Sequence, residues 1–409
     1  DRDSGRFQAL YRAGGSGNFR TIIRDRMQRY VDPPVPQIFL PGEKALVLSR
    51  HDGFTALYEM DLQTMEIGRR VFGVDGYDVA DVMANPEGDA LERVTVIRDR
   101  EEHHWFHPRM REIQSALDQA FGAGNATIVS YDRPRENIVV HVGAPNQAGA
   151  YYLYRTESGE MRLVGWRNTH LRDMALNPVR TIRYRASDGQ SVAAVLTLPR
   201  LREHRNLPLI VLPHGGPWAR DHEGWDIWAQ PLAELGYAVI QPNYRGSSGY
   251  GLAWEAMSDG NWGTRMQDDL NDAVDHLAAE GIADPSRVCM FGWSYGGYAA
   301  SRAAQRDGGR YRCAISGAGV HDIPDMVSYD RDYLGRYGSQ YLGSAASRLA
   351  DVSPARFASQ YSAPILIVHG ARDERVPVAQ SRELVRRSFR NWFRPKYPYV
   401  YATFRCVSG

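Results

Sequence analysis

A nucleophilic serine is predicted within the segment Gly292-Trp-Ser-Tyr-Gly296. An apolar run at residues 288–291 precedes it and small residues follow at 297–304, so the pattern predicts a strand, a tight turn and a helix. Glycine on each side of the serine allows two stretches of backbone to approach closely. Ser294 is therefore a candidate nucleophile, although the five residues alone are equally typical of a glycine-rich helix start.

Serine hydrolysis also requires hydrogen-bond donors for the negatively charged oxygen that forms during the reaction. The backbone N–H of Tyr295, directly after the serine, is the expected first donor. A second donor is expected from the glycine loop Pro213-His-Gly-Gly-Pro217, which follows an apolar run at residues 208–212. The alternative for this loop is an ordinary Gly-Pro turn.

A carboxylate must orient the histidine base, and in α/β-hydrolases the chain order is serine, acid, histidine. The run Ile365-Leu-Ile-Val-His-Gly370 predicts a later strand, and Asp373 and Glu374 follow it in a loop. Either of them could be the acid, and the other would then be a solvated loop charge.

Alternating strands and helices are predicted to position these groups in the second part of the chain. An antiparallel pair at residues 181–185 and 191–198 comes first. Apolar runs then predict strands at residues 208–212, 238–241, 288–291, 313–316 and 364–368, and helices are predicted at residues 227–235, 266–279, 298–306 and 378–387. Residues 179–409 are therefore predicted to form an α/β hydrolase, a mostly parallel sheet with helices on both faces, with an atypical tail from residue 388.

Residues 1–178 are β-rich in pattern. Two similar hairpins are predicted, at residues 45–60 and 137–154, and their Leu-Tyr pairs end at Tyr58 and Tyr154, 154 − 58 = 96 residues apart. This spacing is about two units of the roughly 40–50 residues of a propeller blade. A helix at residues 108–121 interrupts the pattern, since apolar residues recur there at helical spacing. The sequence thus predicts a partial all-β propeller with an inserted helix.

Composition limits the function classes. The formal net charge of the 409 residues is +1, which gives no reason to expect nucleic acid or an anionic membrane as partner. No run of about 18 apolar residues occurs. A soluble protein is therefore expected, and the absence of an initiator methionine and an apolar leader suggests a missing N-terminus and leaves cytoplasm or periplasm open.

Neither a metal nor an organic cofactor is expected. The three cysteines form no Cys-x-x-Cys motif, and Cys289 and Cys313, in apolar runs, are expected to be buried free thiols. The histidines of the segment His103-His-Trp-Phe-His107 have no further ligands at a recognisable spacing.

Four motifs occur in order over residues 179–387. They are His214-Gly-Gly-Pro217, Asn243-Tyr-Arg-Gly-Ser-Ser-Gly-Tyr-Gly251, Gly292-Trp-Ser-Tyr-Gly-Gly297 and His369-Gly-Ala-Arg-Asp-Glu-Arg-Val-Pro377. Together they resemble the catalytic domain of prolyl oligopeptidase family serine peptidases, and most closely the acylaminoacyl-peptidase and dipeptidyl-peptidase-like branch. That family places a β-propeller before the hydrolase, as the hairpins also suggest.

The resemblance implies a role for each site residue. Ser294 would be the nucleophile and Asp373 the triad acid. The backbone N–H groups of Gly216 and Tyr295 would be the oxyanion donors, and Arg375 would contact bound peptide. A pocket for the residue before the scissile bond would be lined by three apolar side chains, Val320, Ile323 and Met326.

One element of the family pattern is missing. The family's catalytic histidine follows the acid, but all 12 histidines here lie at or before His369. A truncated or frame-shifted terminus is the simplest explanation, and both ends of the chain look incomplete. His321 is the alternative base that chain order does not exclude, while His276 and His214 are expected to be structural. We therefore expect catalysis to be impaired in this chain.

The sequence predicts a serine-type peptidase that hydrolyses short peptides through an acyl-enzyme on Ser294. The expected partners are short peptides, with neither nucleic acid nor membrane, and homo-oligomerisation is left open. Two alternatives remain. One is an esterase or lipase on the same α/β-hydrolase fold, and the other is a non-catalytic peptide-binding protein.

Overall fold

The chain folds into two compact units. The computed structural model describes residues 6–12, 19–26, 35–172, 174–330, 346–390 and 400–404. The first unit comprises Asp1–Ala175 and Gly249–Ala253, and the second comprises Leu176–Ser248 and Trp254–Gly409. The prediction of a single division at residue 178 did not anticipate the segment Gly249–Ala253. This segment belongs to the first unit because its backbone bonds there, with Gly251 N donating to Asp78 Oδ2 at 3.0 Å.

Antiparallel sheets make up the first unit, and within each sheet every strand pairs with its neighbour along the chain, as in propeller blades. The described strands form one pair and three sheets of four, three and four strands. They are β1 (Arg6–Arg12) and β2 (Phe19–Arg26); β3 (Val35–Leu40), β4 (Lys44–Ser49), β5 (Ala56–Asp61) and β6 (Ile67–Phe72); β7 (Val79–Ala84), β8 (Leu91–Ile97) and β9 (Glu101–Trp105); and β10 (Ala126–Tyr131), β11 (Asn137–Ala144), β12 (Gln147–Arg155) and β13 (Met161–Trp166). The partial propeller is confirmed, and the two predicted hairpins are β4–β5 and β11–β12.

The inserted helix is also present. Helix α1 (Pro108–Phe121) buries Met110, Ile113 and Leu117 on one face, at the spacing that puts side chains on one side of a helix. Phe121 was expected on the same face but is 37% exposed, because it is the last helical residue.

An eight-stranded sheet forms the centre of the second unit, in the order β14-β15-β17-β16-β18-β19-β20-β21. The strands are β14 (Val179–Arg185), β15 (Ser191–Thr197), β16 (Leu207–Val211), β17 (Ala238–Pro242), β18 (Ala283–Trp293), β19 (Cys313–Gly317), β20 (Ile365–Gly370) and β21 (Val400–Phe404). Strands β14, β15 and β17 pair antiparallel, and from β17 to β21 the pairs are parallel. The carboxyl ends of β16, β18 and β20 therefore meet at one edge of the sheet.

Helices pack on both faces of this sheet, as predicted for an α/β hydrolase. The helices are α2 (Ala229–Glu234), α3 (Leu252–Ala256), α4 (Arg265–Ala279), α5 (Tyr295–Arg306), α6 (Ile323–Tyr329), α7 (Ala346–Leu349) and α8 (Ala379–Arg390), with a 3-10 turn at Pro354–Gln360. A further 3-10 turn, Thr169–Leu171, belongs to the first unit. Helix α5 follows the nucleophile turn and is buried on nearly all sides, because small residues such as Ala299, Ala300, Ala303 and Ala304 let the sheet and neighbouring helices approach. Among the described residues, no helix combines the length and apolar character needed to cross a membrane.

The expectation of two free thiols is wrong. Cys289 and Cys313 form a disulfide, with their Cα atoms 4.7 Å apart. They are direct partners in the register of the parallel strands β18 and β19, so both side chains leave the sheet on the same face. The two strands are separate apolar runs in the sequence, and the cysteines meet only because the strands pair in the sheet.

Removing a central core side chain tests the packing of the sheet. Ile240, on β17, is 0% exposed. Ile240→Ala is expected to lower the free energy of unfolding by about 2–5 kcal/mol, since it leaves a cavity as well as losing buried surface. Leu201→Ala, at a side chain that is 73% exposed, is the matched control and should change little. Denaturant unfolding measures both, and equal effects would contradict the described core.

Candidate active site

Ser294 lies in a strained turn between β18 and α5. Its backbone has φ 58° and ψ −118°, a left-handed conformation that is costly for a residue other than glycine. Two hydrogen bonds hold it: Ser294 N donates to Gly317 O at 2.9 Å, and Tyr298 N donates to Ser294 O at 3.0 Å. The neighbouring strand and the following helix thus hold the serine in the conformation of a nucleophile elbow.

The glycines around the serine are required by close backbone contacts. A Cβ atom at Gly292 would lie less than 3.0 Å from the backbone of Gly296, and one at Gly296 would lie as close to the carbonyl oxygen of Pro213. A Cβ at Gly297 would meet Gly317 O in the same way. The pattern that suggested a nucleophile turn therefore has a steric cause in this fold.

The glycine loop after β16 passes beside Ser294. A Cβ placed on Gly215 would lie 3.4 Å from Ser294 Cβ. Gly216, next in the loop, has φ 112°, which favours glycine. Tyr295 begins α5, where the first N–H groups have no acceptor within the helix. The structure thus brings the glycine loop, at Gly215, and the start of α5 next to Ser294.

A cluster of polar side chains forms hydrogen bonds with the glycine loop. The His214 ring stacks on Tyr244 with centroids 4.5 Å apart, and Tyr244 Oη donates to His214 O at 2.8 Å. His214 Nε2 lies 2.9 Å from Ser247 Oγ, and its Nδ1 lies 2.7 Å from Gly215 O. Burial lowers the pKa of His214 to about 4, so the ring is neutral at physiological pH. The hydrogen bonds fix the conformation of the loop.

Asp373 follows β20 with its carboxylate fixed by the backbone. Its Oδ1 accepts hydrogen bonds from Arg375 N and Val376 N, both at 2.9 Å. Glu374, the competing carboxylate, has an exposed side chain, and its carbonyl oxygen accepts a hydrogen bond from Tyr329 Oη at 2.7 Å. The loop geometry orients Asp373 and leaves the Glu374 side chain in solvent.

The histidines considered as bases have other partners. His321 is 0% exposed, its Nδ1 lies 3.0 Å from Ser301 Oγ, and burial lowers its pKa to about 3. His276 stacks on Tyr184 at the end of α4. His369, also 0% exposed, has Nε2 2.8 Å from Val376 O and 3.7 Å from Asp373 Oδ2.

Among the described residues, none hydrogen-bonds to Ser294 Oγ. Ser294 therefore has no histidine partner in the part of the chain that the structure describes.

The predicted substrate-binding residues lie within α6 or next to it. Arg375 is paired with Asp330, Nη1 to Oδ1 at 2.7 Å, while its side chain remains 61% exposed. Val320, Ile323 and Met326 are buried in the same hydrophobic core as Tyr295. Their side chains thus share one apolar cluster with the residue after the nucleophile.

Sequence reasoning missed Asp221, which follows the glycine loop. Its Oδ2 is buried without a hydrogen-bond partner among the described residues, and its backbone N donates to Asn243 Oδ1 at 2.7 Å. Burial, with a smaller contribution from Asp226, raises the pKa of Asp221 to about 7. Nothing in the local sequence marks this carboxyl as buried, because the fold places it there. Among the described residues, no group of three or more His, Cys, Asp or Glu is arranged to hold a metal ion.

Known proteins resemble this chain in sequence and in fold. Residues 225–391 match the profile of the prolyl oligopeptidase family. The chain is 27% identical over 399 residues to dipeptidyl aminopeptidase BIII of Pseudoxanthomonas mexicana, covering 91% of this chain and 57% of that protein. It is 30% identical over 210 residues to the acylamino-acid-releasing enzyme of Sus scrofa, covering 48% of this chain and 28% of that protein.

Solved structures share the fold. A puromycin-hydrolyzing peptidase of Mycobacterium tuberculosis superposes with a TM-score of 0.74 at 22% identity, over 95% of this chain and 60% of that one. An acylaminoacyl peptidase solved with Z-Gly-Gly-Phe-chloromethyl ketone superposes with a TM-score of 0.71 at 19% identity, over 99% of this chain and 62% of that one. The chain thus spans less than two thirds of these relatives.

Gly296→Ala tests the close approach of the nucleophile turn to the glycine loop. The added methyl group would collide with the Pro213 carbonyl, so we expect a loss of about 1–3 kcal/mol in the free energy of unfolding. Gly309→Ala is the matched control, since nothing lies within 4 Å of its Cβ position. Thermal and denaturant unfolding measure both variants, and a Gly296→Ala protein as stable as the control would contradict the described contact.

The buried Asp221 carboxyl predicts a pH dependence of stability. Its pKa rises from 3.8 to about 7 on folding, so between those values the folded state keeps a proton that the unfolded state has released. The free energy of unfolding of the wild type, relative to Asp221→Asn, should therefore fall as pH rises from about 4 to about 7, by at most about 1.4 kcal/mol per pH unit. Above that range the difference should level off. A difference that does not change with pH would contradict the buried carboxyl.

Proposed function

We propose that this chain, whose residues 225–391 match the profile of the prolyl oligopeptidase family, is a serine peptidase that forms an acyl-enzyme on Ser294. The observation that carries the proposal is the left-handed turn at Ser294, which lies beside a glycine loop so close that a Cβ added at Gly215 would be 3.4 Å from Ser294 Cβ. We propose that this turn presents its hydroxyl group near the backbone N–H groups of Tyr295 and Gly216, because acyl transfer requires such donors.

The proposed reaction has two halves. Ser294 Oγ attacks the carbonyl carbon of a peptide bond, and the N–H groups of Tyr295 and Gly216 donate to the oxyanion that forms. Collapse of the tetrahedral intermediate breaks the C–N bond, and the leaving nitrogen receives the proton that Ser294 Oγ has lost, so that a neutral amine is released. Water then attacks the ester carbonyl, which releases the carboxylic acid and returns a proton to Ser294 Oγ. Asp373, held by two backbone N–H groups, is the proposed acid of the triad.

The rate of acylation of Ser294 depends on a histidine base. No histidine follows Asp373 in the sequence, and His214, His321 and His369 have other hydrogen-bond partners. Without a base the serine hydroxyl is a weak nucleophile, and the remaining acceleration comes from oxyanion donors and substrate binding. We therefore propose that these 409 residues by themselves acylate slowly.

Short peptides are the proposed substrates. Two sequence relatives carry names that refer to dipeptides and to acylated amino acids, so we propose cleavage near the amino end of a peptide. Arg375 is partly exposed beside Asp373 and is proposed to contact the peptide. Val320, Ile323 and Met326 are proposed to give the pocket for the residue before the scissile bond its apolar character.

A fluorophosphonate probe tests the nucleophile. We expect slow labelling of the wild-type chain, because the hydroxyl group is presented but lacks a base, and no labelling of Ser294→Ala. Ser328→Ala, at an exposed serine, is the matched control and should label like the wild type. In-gel fluorescence and intact mass measure the rate and the stoichiometry. Equal labelling of Ser294→Ala would contradict Ser294 as nucleophile, whereas rapid labelling that depends on Ser294 would contradict only the missing base.

Substrate panels separate the remaining functions. Turnover of aminoacyl or peptidyl 4-nitroanilides, lost in Ser294→Ala, supports the peptidase. Cleavage of 4-nitrophenyl esters alone would point to an esterase or lipase. Because no histidine among the described residues hydrogen-bonds to Ser294, peptide binding without turnover is the specific rival. Calorimetric binding of a peptide, unchanged in Ser294→Ala, would favour that non-catalytic function.

A further inference from the structure

A cavity of about 480 Å³ lies in the second unit, where the loop before α4 meets α5 and the segment after α7. Its volume is within the range of small-molecule sites. The residues that give it chemical character are three arginines, two aspartates and one tryptophan, namely Arg265, Arg302, Arg348, Asp268, Asp351 and Trp262. The proposed reaction uses none of them.

Arg302 is the unusual member of this set. Arg302 is only 8% exposed. Its Nε donates to Gly263 O at 3.3 Å, and its Nη1 donates to Gln305 Oε1. Nη2 has no hydrogen-bond partner among the described residues, and no described carboxylate pairs with the guanidinium. Burial lowers the pKa of Arg302, which reflects the cost of holding a charge out of water.

Arg306, one turn later on α5, is paired with carboxylates, as buried arginines usually are. Its Nε lies 2.9 Å from Asp307 Oδ1, and its Nη2 lies 2.7 Å from Asp268 Oδ1. On the same helix, Arg306 therefore pairs with two carboxylates. Arg302, which is more buried, pairs with no carboxylate of the described residues. An unpaired charge beside a cavity points to a counter-charge that comes from a ligand.

The surroundings of Arg302 favour an anion. Arg265 and Arg348 add two positive charges to the cavity wall, and Arg348 is exposed. Of the two acidic residues, Asp268 is already paired with Arg306, and Asp351 is exposed. The cavity also borders the first turn of α4, where backbone N–H groups favour negative charge.

We propose that this cavity binds a small oxyanion, a carboxylate or phosphate group, that pairs with the guanidinium of Arg302. Carboxylate and phosphate oxygens match the donor geometry of a guanidinium group. The proposal is independent of the peptidase activity, since it concerns binding alone.

The cavity is connected to the nucleophile turn by one side chain. Trp262 lines the cavity, and its ring meets the ring of Tyr295 edge to face with centroids 4.9 Å apart. Tyr295 directly follows Ser294. An anion in the cavity therefore changes the environment of a tryptophan that touches the start of α5, and tryptophan fluorescence can report its binding.

Anion titrations test the proposal on the whole chain. Citrate and inorganic phosphate are added separately at constant ionic strength, set with sodium chloride, while fluorescence and melting temperature are recorded. We expect a saturable fluorescence change and a rise in melting temperature for at least one anion. The stronger of the two identifies the group as carboxylate or phosphate. Trp262→Phe should remove the fluorescence change and keep the rise in melting temperature.

Variants locate the site. Arg302→Met keeps the length of the side chain without its charge and should weaken binding by about 10–100-fold, the equivalent of one or two charge-assisted hydrogen bonds. Arg310→Met is the matched control, since Arg310 pairs with Asp275 on the surface and should leave binding unchanged. If Arg302→Met does not fold, Arg348→Ala, at an exposed residue, should weaken binding severalfold in a folded protein. Absence of saturable binding to the wild type, or equal affinity in these variants and the control, would overturn the proposal.

Discussion

The close approach of Gly296 to the carbonyl oxygen of Pro213 is the contact on which the site depends. It joins the turn after β18 to the loop after β16, and these strands are parallel neighbours whose carboxyl ends lie at the same edge of the sheet. Because both partners are backbone groups, neither can move away by changing a rotamer. The strained conformation of Ser294 is stable only because the strand, the helix and the glycine loop hold it together.

His214 and His321 are uncharged, hydrogen-bonded rings in this unit. Burial depresses the pKa values of His214 and His321 far below the usual value, which favours the uncharged ring. His369 lies close to Asp373, but its two ring nitrogens hydrogen-bond with Val376 O and Ser381 Oγ. Ser294, Asp373 and the glycine loop are therefore held in place by contacts that do not include a histidine base.

Charge is distributed unevenly along α5. Arg306 has two carboxylate partners, whereas Arg302, more deeply buried, has a backbone carbonyl and an amide. A protein interior accepts a charged group only when something compensates it. The contrast within one helix makes the cavity beside Arg302 a distinct feature of the second unit, separate from the nucleophile and joined to it through Trp262 and Tyr295.

The local sequence pattern was sufficient to predict those features whose physical cause lies in neighbouring residues. Strand runs and helical spacing predicted the hairpins, α1 and the alternation of the second unit, since burial of one face depends on nearby residues. Gly292, Ser294 and Gly296 were recognisable because a strained turn between a strand and a helix leaves glycine as the residue that fits. Helix α5 begins at Tyr295, three residues before the predicted start, because the turn itself passes directly into the helix.

The remaining features depend on residues far apart in the chain, and only the tertiary structure determined them. Cys289 and Cys313 meet because two strands pair in a particular register. The segment Gly249–Ala253 joins the first unit through a hydrogen bond to Asp78, about 170 positions earlier in the sequence, a distance that local pattern cannot bridge. Asp221 and Arg302 look like ordinary surface charges in the sequence. Their burial, and hence the raised pKa of one and the unpaired charge of the other, comes from the elements that pack over them.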